Sequence, residues 1–160
     1  MDETLSRDII AAVDTGFDDQ VKLTADVTAL PSTRGQEATA QDFMADQYRR
    51  RGLAVDRWKI DVEDIRDLPG FSPVAVSYDN AFNVAGAHRP KESKGRSLIL
   101  NGHIDVVPAG PLDLWTSPPF APHVENGWLY GRGSGDMKGG LVAALAAFDA
   151  IDRLGYRPAA

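Results

Sequence analysis

Apolar residues Leu5, Ile9, Ile10, Val13 and Phe17 recur at a spacing that lines one face of a helix, so the first thirty residues predict one or two opening helices. A loop follows at Pro31-Ser32-Thr33-Arg34-Gly35, with Ser and Thr suited to capping. Beyond it Ala40, Phe43, Met44, Gln47 and Tyr48 predict a helix over about 36–51. Arg49, Arg50 and Arg51 suit its negative end as a solvated terminus, and Gly52 is placed to stop it. Leu53 to Ile60 has the Val, Trp and Ile content of a strand, and Ala81 to Ala87 predicts a weaker one across the loop-like stretch 61–79.

After the polar turn 88–96, Ser97-Leu98-Ile99-Leu100-Asn101 is apolar on both faces, the pattern of a central strand covered on two sides. Prolines at 108, 111, 118, 119 and 122 make the next stretch an ordered loop or a poor helix. Asn126-Gly127, between His123-Val124-Glu125 and Trp128-Leu129-Tyr130, is the strongest short hairpin signal. A glycine-rich run, Gly131-Arg132-Gly133-Ser134-Gly135-Asp136, then leads into the most helical stretch, Met137 to Leu154. That helix is apolar nearly all round, as expected for one packed closely on a sheet, and Gly155 and Pro158 stop it. No internal repeat or low-complexity tract interrupts the chain.

Composition narrows the function classes. The 160 residues, 43% hydrophobic and 25% charged, suit one globular domain. Seventeen Lys and Arg against 23 Asp and Glu leave a formal charge of −6, a poor balance for binding nucleic acid. With no cysteine, any metal chemistry falls to His, Asp and Glu, and the cytoplasm is the expected compartment. Met1 is followed by Asp2 and Glu3 rather than by an export signal. The longest apolar run, Leu141 to Phe148, is eight residues where a membrane span needs about 20. The expectation is a soluble, unprocessed chain with no membrane partner.

Two segments carry candidate chemistry. Asn101-Gly102-His103-Ile104-Asp105-Val106-Val107-Pro108 lies at the carboxyl end of the most apolar strand, the edge where open α/β sheets form sites. In extended backbone His103 and Asp105 leave the same face, so a histidine for metal and a carboxylate on its second nitrogen can stand together. Alone, a His-x-Asp is more often a hydrogen-bonded structural histidine. The other segment ends in Asp136, 33 residues after His103, where a carboxylate at a helix start is most simply an N-cap.

Sharper motifs fail there. A dinucleotide fingerprint starting at Gly131 needs glycine where Asp136 stands, which rejects a nucleotide-binding domain, and a phosphate loop needs Gly-Lys-Ser/Thr. A nucleophile elbow around Ser134 needs glycine at Arg132, so Ser134 reads as turn chemistry. His88 and His123 stand alone in polar segments, and Trp115, Phe120 and Trp128 are more often core than cleft.

Together, Leu98 to Pro108, Trp115 to Phe120 and Leu129 to Gly140 resemble the zinc metallopeptidases that include acetylornithine deacetylase, succinyl-diaminopimelate desuccinylase, aminoacylase and carboxypeptidase G. Pro31-Ser32 with Gly35 and Glu37 resembles that group's early loop, so the likeness covers most of residues 30 to 155. It implies an α/β chain, the N-terminal part of a three-layer α/β/α catalytic domain without the lid and dimerisation domain. It also implies a two-zinc site, with cobalt as an alternative metal. His103 would ligate one zinc, Asp136 would bridge both, Asp105 would support His103, and the Asp136–Met137 peptide would be cis.

The group's paired Glu-Glu, its further acidic ligand and its final His have no counterpart after Asp136, where Asp149 and Asp152 are the remaining acids and no His occurs. The resemblance therefore implies a metal-dependent amide hydrolase, acting on an N-acyl-amino-acid or peptide, of which this chain supplies part of the site and is inactive alone. The alternative is a non-catalytic fragment serving as a binding or complementing partner. An unfinished sheet edge is expected to drive self-association.

Overall fold

The computed structural model describes residues 3–159. Helices α1 (Glu3–Thr15) and α2 (Phe17–Thr28) form the expected opening pair. Helix α3 (Ala38–Arg50) follows the loop, with Glu37 rather than Ser32 or Thr33 at its N-cap. Strand β1 (Ala54–Lys59) pairs antiparallel with β2 (Phe82–Ala87), from Ala54 opposite Ala87 to Lys59 opposite Phe82. One turn of helix, α4 (Val62–Ile65), interrupts the stretch read as loop, capped by the Asp61 carboxylate accepting from the Glu63 N–H. The proline-rich segment is irregular except for a 3-10 turn at Leu112–Leu114.

Strands β3 (His123–Glu125) and β4 (Trp128–Tyr130) make the expected hairpin. Its two turn residues, Asn126 at φ 51° and Gly127 at φ 81°, both take the left-handed conformation such a tight turn requires. A kinked turn, Ser134–Lys138, then opens α5 (Gly139–Arg153).

The core joins Val27 of α2, Ala40 and Met44 of α3, Ile104, and Val142 and Leu145 of α5. Leu23, Leu30, Phe43, Tyr48 and Leu141 close around them. Three expectations are corrected. Helix α5 packs on α1 and α2 rather than on a sheet, because its small apolar residues meet the apolar faces of the opening helices. Arg51 is not solvated: its Nε and Nη2 donate to the two carboxylate oxygens of Asp149 on α5, at 2.8 and 2.7 Å, tying the end of α3 to that helix.

The third correction concerns residues 97–101, which carry no ladder. Leu98, Ile99 and Leu100 are 79, 86 and 61% exposed. An apolar run becomes a strand only beside another backbone, and none of the described strands pairs with it. No helix among the described residues is long and apolar enough to cross a membrane.

Candidate active site

The segment leading into the site is fixed by the loop before α3. Buried Ser32 donates its hydroxyl to the Ile104 carbonyl at 2.7 Å, and the Val106 N–H donates to the Ser32 carbonyl at 2.9 Å. Thr33 and Val106 thereby form a parallel bridge. Ile104 and Val106 turn into the core, so the alternate residues His103 and Asp105 turn outward into a cleft of about 560 Å³. At Gly102 the backbone passes so close to α5 that a Cβ would stand 2.7 Å from Leu141 Cδ2 and 2.8 Å from Met137 Cε.

The opposite wall is the glycine-rich run. Gly133, at φ +83°, leaves no room for a side chain, since a Cβ would lie 2.4 Å from Val106 Cγ1. Ser134 donates its hydroxyl to the Gly131 carbonyl at 3.0 Å, which is turn chemistry as expected. The Asp136–Met137 peptide is cis, and the Asp136 carboxylate projects into the cleft with its side chain 91% exposed.

Across this gap the three residues singled out in the sequence come together. His103 Nε2 lies 3.0 Å from Asp136 Oδ1, while its Nδ1 faces the Asp105 carbonyl at 3.0 Å and the Asp105 carboxylate at 3.2 Å. With oxygens at both ring nitrogens, only the imidazolium can donate to both sides. Burial alone would lower the pKa of His103. The bond to Asp136, the Asp105 carbonyl and the charges of both carboxylates outweigh it, and the pKa is raised.

As donors, an imidazole nitrogen and a carboxylate oxygen fit zinc. They make a pair rather than a complete set: among the described residues no group of three or more His, Asp or Glu is placed to hold a metal ion.

The other candidates have structural partners. His88 Nε2 meets the Pro158 carbonyl at 2.9 Å, and His123 stacks on Tyr130 with ring centroids 5.3 Å apart. Trp115 donates its indole N–H to the Ala109 carbonyl at 2.8 Å, Phe120 is half-buried, and Trp128 lies exposed on the hairpin. Three contributions escape a reading by motif. Arg34 and Arg132 line the cleft, and Lys138 is fully buried behind it, donating its ammonium to the Leu30 carbonyl at 2.7 Å. A cation beside each cleft motif was the available signal for the two arginines. No local pattern distinguishes a buried lysine from an exposed one.

Residues 99–160 match the family described as Peptidase family M20/M25/M40. A succinyl-diaminopimelate desuccinylase of Stenotrophomonas maltophilia is 34% identical over 125 residues, which is 78% of this chain and 28% of that protein. A protein of the same name from Dechloromonas aromatica is 42% identical over 90 residues, covering 56% of this chain and 23% of its own length. The chain thus spans less than a third of these relatives. In fold it resembles the dipeptidase Dug1p of Saccharomyces cerevisiae, with a TM-score of 0.71 at 20% identity, over 94% of this chain and 32% of that one. Human carnosine dipeptidase 1 is similar over the same shares, with a TM-score of 0.66 at 20% identity. With the motif segments in order along the sequence and this fold around them, the chain is similar to the N-terminal part of members of peptidase family M20/M25/M40.

Proposed function

We propose that the chain supplies part of a two-zinc site in a hydrolase that cleaves the amide bond of an N-acyl-amino-acid or peptide. The observation that carries this reading is the convergence of His103 Nε2 and Asp136 Oδ1 at 3.0 Å, with Asp105 behind the other ring nitrogen. Asp105 acts as the positioning residue: by accepting the Nδ1 proton it fixes the imidazole and leaves the Nε2 lone pair for a metal. Asp136 offers two oxygens from an exposed side chain, the donor type that can bridge two cations. Zinc, or cobalt in its place, supplies polarisation of the amide carbonyl and an acidified water when bound.

Among acyl groups, the names of the similar desuccinylases favour succinyl. A small-molecule substrate, a cytoplasmic location and the absence of nucleic-acid or membrane partners complete the reading.

Among the described residues after Asp136, no acid is left unpaired to serve as a general base. After Asp136 the acids are Asp149, engaged by Arg51, and Asp152, paired with Arg157. The chain alone is therefore proposed to be inactive. A second reading, a non-catalytic partner that binds or complements another chain, is favoured by the exposed apolar run Leu98–Leu100, which also supports self-association.

Zinc titration followed through the ring nitrogens of His103 tests the site. Saturable shifts are expected, lost in His103→Ala and weakened about tenfold or more in Asp136→Ala. Zinc binding unaffected by either substitution would sink the ligand assignment, and chelator-sensitive hydrolysis of an N-succinyl amino acid by the chain alone would sink the claim of inactivity.

A further inference from the structure

Asp136 projects into the cleft on an exposed side chain and bonds across it to His103, so its position follows from the backbone of its own wall. Lys138 fixes that backbone. Its N–H donates to the Gly133 carbonyl at 3.0 Å, closing the turn that carries Asp136. Its stem runs along the same turn, where a Cβ built on Gly133 would stand 3.6 Å from Lys138 Cδ. The ammonium at its end donates to the Leu30 carbonyl at 2.7 Å.

Leu30 stands two residues before Ser32, which holds the other wall through the Ile104 carbonyl and the Val106 N–H. Both walls of the cleft therefore hang from residues 30–32. The attachment on the Asp136 side is costly, because a fully buried ammonium has left water and an apolar side chain of the same length would fill the space without that penalty. Burial is the cause that lowers its pKa to about 8, with no neighbouring charge acting against it. Leu30 lies just past the C-terminal end of α2, whose dipole favours a cation and offsets part of the cost. What the ammonium provides and an apolar chain does not is a directional, charge-assisted bond between the two walls.

We infer that Lys138 is a positioning residue: by fastening the turn that carries Asp136 to Leu30, it sets the separation at which Asp136 and His103 meet across the cleft. It touches neither side chain and acts through the backbone of both walls. Its value for metal binding rests on the proposed two-zinc reading, whereas the fastening of the walls does not.

The test is made on the metal-free, isotope-labelled full chain, by nuclear Overhauser contacts between the His103 ring protons and the Asp136 β protons. Lys138→Met is expected to lose them while keeping the contacts of His103 with Asp105 and the amide signals of α3 and the β3–β4 hairpin. Because the chain has no cysteine, Lys138→Cys can be alkylated selectively with bromoethylamine in denaturant and refolded, which returns an ammonium at the same reach. That product should regain the contacts. Contacts retained in Lys138→Met, or not regained after alkylation, overturn the role. Loss of the whole fold in Lys138→Met also overturns it, since the ammonium would then be a requirement of the core rather than a setting of the cleft. In the zinc titration, Asp136→Ala should weaken binding about tenfold or more in the parent and no further in Lys138→Met, and an equal loss in both backgrounds counts against the role. A chain that binds no zinc sinks the ligand assignment, while the metal-free contacts still decide whether Lys138 holds the walls together.

Discussion

Lys138 stands at the point where the cleft meets the core, two residues after Asp136 and fully buried. An ammonium withdrawn from water is costly, and burial pushes its pKa from 10.5 down to about 8. Between those values the unfolded chain binds the proton that the folded chain has released, so stability rises with pH in that window. The rise is expected to approach 1.4 kcal/mol per pH unit at most, roughly the limit for one proton. Tyr48, whose pKa burial raises above 10.0, works against it at the upper end. Urea unfolding from pH 8 to 10 should show a rising stability that is absent from Lys138→Met. Equal slopes in the two proteins would remove the buried ammonium from the account.

At the scale of elements, long periodic segments were readable because their pattern and their partners are both local. The spacing of Ala40, Met44 and Gln47 placed α3, and Asn126-Gly127 placed the β3–β4 hairpin. Residues 97–101 were misread, since apolar content says that a segment seeks cover but not which backbone will pair with it. Arg51 was misread because its partner lies 98 residues away in sequence. Its fork on Asp149, with side chains 16 and 27% exposed, fastens α3 to α5. Arg51→Ala is expected to cost about 1–3 kcal/mol, measured by chemical denaturation. The cost should shrink in an Asp149→Ala background, and full additivity of the two substitutions would show that the pair contributes nothing jointly.

For the whole molecule, the exposed row Leu98-Ile99-Leu100 is the feature with the largest consequence. Side chains of that size in a row without cover favour association, and unpaired backbone adds a template for it. Light scattering of the concentrated chain is therefore expected to fall in Ile99→Lys, with the helical signal unchanged. Scattering identical to that of the parent would exclude this row as the contact.

Helices α1, α2, α3 and α5, the hairpin and the order of the motifs were legible in the sequence, because helical periodicity and turn chemistry act over a few residues, whereas the single turn α4 was not. The sequence also singled out His103, Asp105 and Asp136. Tertiary structure decided that these three converge, since a 33-residue separation closes only when Ser32 anchors Ile104 and Gly133 lets the second wall approach Val106. It likewise decided the fates of Arg34, Arg132, Lys138 and Arg51. A charged side chain acquires its role from its surroundings, and those surroundings come from distant parts of the chain.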